Sequence, residues 1–454
     1  MGWFFGRGTV GNGRHELKAI ICDMCKMHRT SLLSLLPLGP LLFIVPRQTV
    51  RSNSEEKELK ITEIKLYRIS SGNRGEKGAR FGESQYWGGG WQTGSLIANP
   101  MSVYPKYAQV RTLWMGPGQD PYAIEIFTDE GVTGCAANYG GGYFSCAVIE
   151  QHFKKFLIGQ DPFNIELLWD QMYRSTMPYG LGGVTAMAMS GVDLALWDLM
   201  GKALGQPVYR LLGGQTKETI PCYATTHPDQ VSHWKDSGFI GVKIAAPWGA
   251  ADGRAGLLKM QKCLEDCRTA LGDEMELMVD CYLSWDIEFA SRLMERVRDC
   301  DVKWFEDPLQ NGWAEYMNAE LRTRISPIQV AIGNLEFDVK AFAAILAARA
   351  CDVIQPEMQW CGGLTAVRRI AAMAKPYDVP VIPHGSGVYN YHFVQSNLNS
   401  PFAEYLSVGD GTGVRPIFEA VIGEPLPVNG HVTLGTKPGF GVELNRDLLE
   451  PIDF

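Results

Sequence analysis

Five side chains set the chemistry this chain can do. Asp280, Glu306, Asn334, Glu357 and His384 each follow a short apolar run, as in Leu277-Met278-Val279 before Asp280 and Trp304-Phe305 before Glu306. The steps 280 to 306, 306 to 334, 334 to 357 and 357 to 384 are 26, 28, 23 and 27 residues long. Each step holds one strand and one helix, so every one of the five falls at the C-terminal end of a strand, where (β/α)8 barrels keep their chemistry. Two carboxylates on neighbouring strand ends are oxygen ligands for a hard cation such as Mg2+. Such an ion neutralises the charge that develops when a proton leaves the carbon beside a carboxylate. Glu357 beside His384 reads as an imidazole oriented by a carboxylate, as a general acid/base requires. Lys243, after an earlier strand, faces the same cavity as a base or an electrostatic partner. Taken singly, an acid at a strand end is more often the N-cap of the next helix, and a lysine more often a surface residue. Five polar groups at one phase of one repeat are poorly explained by coincidence.

The elements that must position these groups follow from the hydrophobic pattern. Strands are predicted at 219–223, 241–244, in the runs ending at Asp280, Glu306, Asn334 and near Gln355, and at 379–382 and 402–405. Helices are predicted at 229–235, 257–271, 288–297, 339–348 and 367–374. This alternation is the pattern of an α/β parallel sheet, and eight strands close it into a barrel. Upstream, strands at 59–69, 109–114 and 122–127 precede helices at 145–157, 165–174 and 184–204, a small α+β domain. The last strand is expected to end at Asp129-Glu130-Gly131, and a long Gly- and Trp-rich loop spans 72–107. Loops of that length are uncommon unless they have a function or are disordered. The expected layout is an extension over 1–57, the α+β domain over 58–215, the barrel over 216–406, and a segment over 407–454 that returns to the α+β domain.

A length of 454 residues fits two domains, and 46% apolar with 20% charged residues is ordinary for a globular protein. A net charge of −8 argues against nucleic acid as a partner while leaving room for a small anionic substrate at a locally positive site. The eleven cysteines include one C-x2-C pair, Cys22 and Cys25, with no second pair to complete a zinc site, and read as reduced thiols. The apolar run 31–45 is broken by Pro37, Gly39 and Pro40 and is too short for a stable membrane span. Lys26, Arg29, Arg47 and Arg51 flank it, and no acid lies between Asp23 and Glu55. The extension reads equally as an organelle presequence or as a disordered tail, so the expected compartment is cytoplasmic or mitochondrial.

Longer motifs add a resemblance. Ala98-Asn99-Pro100-Met101, Val192-Asp193-Leu194-Ala195-Leu196-Trp197-Asp198, Trp360-Cys361-Gly362-Gly363, Pro383-His384-Gly385-Ser386 and Lys437-Pro438-Gly439-Phe440-Gly441-Val442 make the region 61–450 similar to the mandelate racemase-type subgroup of the enolase superfamily. Within that subgroup the chain most resembles the L-rhamnonate dehydratase family. The resemblance implies a (β/α)7β TIM-type barrel with an N-terminal α+β capping domain. It implies Mg2+ held at the ends of the third, fourth and fifth strands by Asp280, Glu306 and the residue at Asn334. His384, oriented by Glu357, becomes the base that takes the proton alpha to the carboxylate and assists departure of the 3-hydroxyl. Glu404 would hydrogen-bond the enolate oxygen, and Arg111, Lys243, Trp360 and Ser386 would contact substrate. The implied reaction turns a sugar acid into a 2-keto-3-deoxy acid, and the implied assembly is a homo-oligomer.

Three positions depart from that family's pattern. Gly333-Asn334-Leu335-Glu336 stands where the family has Gly-Glu-His-Glu, so one metal carboxylate is an amide and a neighbouring histidine is a leucine. Glu357 replaces an Asp, keeping the charge and adding a methylene; a catalytic group misplaced by about 1 Å can cost on the order of 10²-fold in rate. A second class of function therefore stays open, a silent relative that keeps the barrel for binding or assembly. Racemisation, with Lys243 as a second base, ranks below dehydration.

Overall fold

Alternating burial makes the first strand one face of a sheet. In β1 (Ile61–Ile69), Ile61, Ile64, Leu66 and Ile69 are buried while Thr62, Glu63 and Lys65 are exposed. The computed structural model describes residues 59–69, 92, 95–107, 121–310, 314–416 and 419–454. The expected strand at 109–114, Arg111, most of the 72–107 loop and the 1–57 extension lie outside them, apart from 92 and 95–107 of the loop. β1 pairs antiparallel with β2 (Tyr122–Thr128), and β2 with β3 (Thr133–Asn138). The expected strand end at Asp129-Glu130-Gly131 holds, since β2 stops at Thr128, whereas β3 was not anticipated. After Thr133 its sequence, TGCAAN, is made of small residues and an amide, because the helix Val184–Ala203 lies too close for bulkier strand formers. A Cβ on Gly134 would come within 2.1 Å of the Ala195 carbonyl oxygen. The helix expected over 145–157 starts earlier, at Gly142, and contains a π-helical turn, Ile149–Phe153.

The parallel sheet runs through β4 (Ile220–Thr226), β5 (Gly241–Ala245), β6 (Glu276–Asp280), β7 (Val302–Glu306), β8 (Gln329–Ile332) and β9 (Val353–Ile354). β10 (Ala403–Leu406) pairs parallel with β4 at the other edge. Between β9 and β10 the chain makes only a bridge, Ile354 to Val381, and the Val381 N–H donates to Asn399 O at 2.9 Å, which closes the ring. Helices or helical turns follow the first seven positions, ending with Val388–Ser396 before β10, so the barrel is (β/α)7β. Two of these helices, Ala314–Ile325 and Val388–Ser396, were not anticipated; the second is buried along nearly its whole length and shows no amphipathic stripe.

Inward-facing Tyr223, Met278, Trp304, Ala331, Val353 and Ile382 form one apolar layer inside the barrel. It is a dry floor beneath the polar strand ends, and it strengthens every electrostatic interaction above it. The final segment runs back over the N-terminal sheet: Leu449–Pro451 pairs antiparallel with β1, and Phe440 N–H donates to Asp198 at 2.9 Å. No helix among the described residues is long and apolar enough to cross a membrane. The nine cysteines described are all free.

Candidate active site

The barrel register sets Asp280 and Glu306 side by side as cross-strand partners of β6 and β7. Sharp exits follow, with Tyr282, Leu283 and Asp307 all at positive φ, the local strain that collects at functional sites. Lys243 of β5 lies two residues before Ala245, the partner of Asp280, and on the same face of the strand. Its Nζ therefore reaches the acids, at 2.6 Å from Glu306 Oε1, 2.8 Å from Glu404 Oε1 and 3.9 Å from Asp280 Oδ2. The side chain is completely buried. Burial alone would drive off its proton, but Glu306 and Glu404 outweigh it and raise the Lys243 pKa well above the usual lysine value. Glu306 and Glu404 thus favour the ammonium form of Lys243.

Three oxygen donors stand at the ends of β6, β7 and β8. Burial and the adjacent Glu306 charge push the Asp280 carboxyl up to about 7. Glu306 Oε2 accepts from Gln355 Nε2 at 2.9 Å, and Asp280 Oδ1 accepts from the Tyr282 N–H at 3.0 Å. Asn334 is buried and its Oδ1 has no hydrogen-bond partner within the protein. Two carboxylates and an unused amide oxygen are a hard donor set, and they fit Mg2+. Among the described residues no three His, Cys, Asp or Glu side chains are placed together to hold a metal, which makes the Asn334 amide oxygen the candidate third donor beside Asp280 and Glu306. Leu335 packs half-buried against the core, and the charged neighbour of Glu336 is Glu315.

His384 Nδ1 lies 2.8 Å from Glu357 Oε2. Glu357 is fully buried and its Oε1 accepts from the Gln359 N–H at 2.9 Å. With Nδ1 occupied, Nε2 is left as the working nitrogen. Burial pulls the His384 pKa down, but the bond to Glu357 and the charges of Glu404 and Glu357 prevail and raise it to about 9. Glu404 anchors the same loop, because its Oε2 accepts from the Gly385 N–H at 2.6 Å and its Oε1 from the Thr225 hydroxyl at 2.5 Å. Burial works to raise the Glu404 carboxyl, but Lys243 and His384 prevail and hold it at about 2. Here Glu404 accepts hydrogen bonds; donating one to an enolate oxygen would need a proton that Lys243 disfavours.

Trp360 is buried with its ring 6.0 Å from that of His384, and its Nε1–H has no partner within the protein. Ser386 is also buried, and its hydroxyl is taken by the Leu406 N–H at 3.0 Å. Ile97, at the end of the long loop, meets Ala245, Tyr282 and Leu406 at the barrel rim. Sequence reasoning missed Tyr139, whose hydroxyl donates to Glu357 Oε2, and Asp307, a buried acid whose Oδ2 is unpartnered. It quoted Gln355 as a strand end without giving it a role, and it passed over Thr225. Asp307 and Thr225 had a signal, their place at strand ends; Tyr139 had none, since it follows the strand that was not foreseen.

Comparison with known proteins bears on the whole of this architecture. Residues 228–448 match the family model described as enolase C-terminal domain-like, and residues 115–213 match the mandelate racemase/muconate lactonizing enzyme N-terminal domain. A protein of Caldivirga maquilingensis provisionally named an L-rhamnonate dehydratase is 39% identical over 406 residues, 88% of this chain and 98% of its own. The crystal structure of L-rhamnonate dehydratase from Gibberella zeae superposes with a TM-score of 0.80 at 36% identity, covering 88% of this chain and 98% of that one. The Gibberella zeae enzyme complexed with Mg gives a TM-score of 0.81 at 37% identity, covering 87% and 97%. The 3,6-anhydro-D-galactonate cycloisomerase from Zobellia galactanivorans follows at 0.69 and 26%, covering 86% and 99%.

Proposed function

The chain belongs to the mandelate racemase/muconate lactonizing enzyme family of the enolase superfamily, and on that premise we propose that it is a Mg2+-dependent sugar-acid dehydratase of the L-rhamnonate dehydratase type. The observation that carries this reading is the pairing of His384 with buried Glu357 at 2.8 Å on one side of a mouth whose other side holds Asp280 beside Glu306. Asp280, Glu306 and the Asn334 amide oxygen would hold Mg2+, which supplies positive charge where the substrate carboxylate becomes an enediolate. His384 Nε2 removes the C2 proton while Glu357 keeps the ring in the Nδ1–H tautomer and stabilises the imidazolium. The same imidazolium returns that proton to the departing 3-hydroxyl, which leaves as water. The remaining enol tautomerises to the 2-keto-3-deoxy acid. Lys243, held charged by Glu306 and Glu404, offsets part of the negative charge around it and so lessens the repulsion that an anionic substrate meets. The unpartnered Trp360 Nε1–H is a donor for a substrate oxygen.

A panel of sugar acids assayed for 2-keto acid at saturating Mg2+ tests the proposal, and no turnover with any of them overturns it. One observation favours the silent relative: the amide of Asn334 stands where the family has a carboxylate, which leaves the donor set one negative charge short. Calorimetric titration with Mg2+ separates the two, since a silent relative needs no metal. The reading extends to a homo-oligomer, which light scattering on the purified protein measures. It also extends to a cytoplasmic or mitochondrial location, which N-terminal sequencing of the mature chain narrows.

A further inference from the structure

We propose that Tyr139 is a positioning residue for this dehydration, its hydroxyl reaching from the N-terminal sheet to hold Glu357 and to temper that carboxylate's grip on His384. The inference rests on the dehydratase reading for its mechanistic meaning but on geometry for its substance. β3 ends at Asn138, and the next residue turns its side chain onto the barrel. Asn138 Nδ2 donates to the Gln359 carbonyl at 3.0 Å, and the Tyr139 N–H donates to Gln359 Oε1 at 3.3 Å, so the end of the sheet grips the loop that carries Glu357. The Tyr139 ring meets Trp360 edge to face at 5.6 Å and is 7% exposed. Its hydroxyl fills the space beside Gly385, where a Cβ would come within 2.8 Å of the tyrosine oxygen and 3.0 Å of Glu357 Oε2.

A single carboxylate oxygen, Glu357 Oε2, therefore receives both the Tyr139 hydroxyl and His384 Nδ1. Two donors on one oxygen share its negative charge, so the phenol draws off part of what would otherwise hold the imidazolium proton. The phenol stays protonated, because burial and the Glu357 charge put its own pKa well above the usual tyrosine value. The charged groups facing His384 are Glu404, Glu357, Lys243, Asp280 and Asp307, and replacing Tyr139 removes none of them.

The test is Tyr139→Phe, which keeps the ring and its contact with Trp360 and deletes only the donor. Carbon-13 NMR of histidine-labelled protein, with the His384 signal identified by its loss in His384→Gln, reads the titration directly and needs no substrate. The His384 midpoint is expected to move up by about one pH unit in the Phe variant. The acidic limb of kcat/KM is expected to follow it, with activity recovering at higher pH. An unmoved midpoint, or a rate loss equal at every pH, overturns the proposal. A shifted midpoint in a protein that turns over no sugar acid would uphold the Tyr139 inference and sink the dehydratase reading, so the two failures are distinct.

Discussion

Lys243 Nζ stands 2.6 Å from Glu306 Oε1, with both side chains fully buried. The cation that the side-by-side acids need is thus supplied in part by the protein itself. Removing one partner of a buried pair leaves the other charge uncompensated, at roughly 3–5 kcal/mol. Lys243→Met is expected to lose about that much unfolding free energy in Mg2+-free urea titrations. Added Mg2+ should restore part of it, because a divalent ion then supplies the charge Glu306 and Asp280 lack. A deficit indifferent to Mg2+ would mean that lysine and metal do not share these acids.

Asn334 gives the metal site an oxygen without a charge. With Asp280 and Glu306 the protein ligands carry two negative charges, where a third carboxylate would make three. Asn334→Glu is expected to tighten Mg2+ binding by on the order of tenfold, and Asn334→Leu to weaken it, because cation affinity follows ligand charge and ligand count. Isothermal titration of the three proteins measures this without any substrate.

His384 makes stability depend on pH in a definite direction. Its folded pKa, about 9, lies above the ordinary histidine value of 6.5. The stabilisation from this group is therefore complete below about pH 6.5 and disappears as the pH rises through about 9. Glu357→Gln removes the main support of the imidazolium, so the stability difference between wild type and variant should shrink between those limits. Urea midpoints of the Mg2+-free proteins, collected from pH 6 to 9.5, give the curve; a difference that grows with pH would contradict the assignment of charge to His384.

The barrel could be read from the sequence because its signal is periodic: an apolar run, then a polar group, at steps of 23 to 28 residues. Asp280 and Glu306 were legible for the same reason, and the register places them side by side. What stayed hidden depends on contacts between distant parts. β3 is built mostly of small residues because Gly134 must let the Ala195 backbone approach, a constraint that leaves no periodicity behind. Tyr139 reaches Glu357 across 218 residues of chain, and nothing local marks it. The shifts of Lys243 and Glu404 were equally out of reach, since burial, Glu306 and Glu404 act on the lysine while burial, Lys243 and His384 act on the carboxyl. An isolated lysine in a sequence is compatible with base and ammonium alike.

The C-terminal segment offers a test far from the chemistry. Arg446 grips Glu125 of β2 through both guanidinium nitrogens, one of them at 2.6 Å from Oε2, and Tyr67 of β1 donates to the same oxygen at 2.8 Å. Three residues on, Leu449–Pro451 extends the sheet beside β1, so this ion pair clamps the last strand in place. Glu125 is 2% exposed, whereas the Arg446 side chain is 61% exposed and partly screened by solvent. Arg446→Ala should therefore cost about 2 kcal/mol, less than breaking a fully buried pair. Burial acts to raise the Glu125 pKa, but the bonds from Arg446 and Tyr67 prevail and leave it below the usual glutamate value of 4.5. A depressed carboxyl stabilises the fold above its unfolded pKa and loses that contribution as the pH falls through its folded one. The gap between wild type and Arg446→Ala should accordingly be full at neutral pH and narrow as the pH falls below the usual glutamate value of 4.5. Thermal unfolding at pH 7 and at pH 3.5 distinguishes this from a loss of packing alone, which would persist at both.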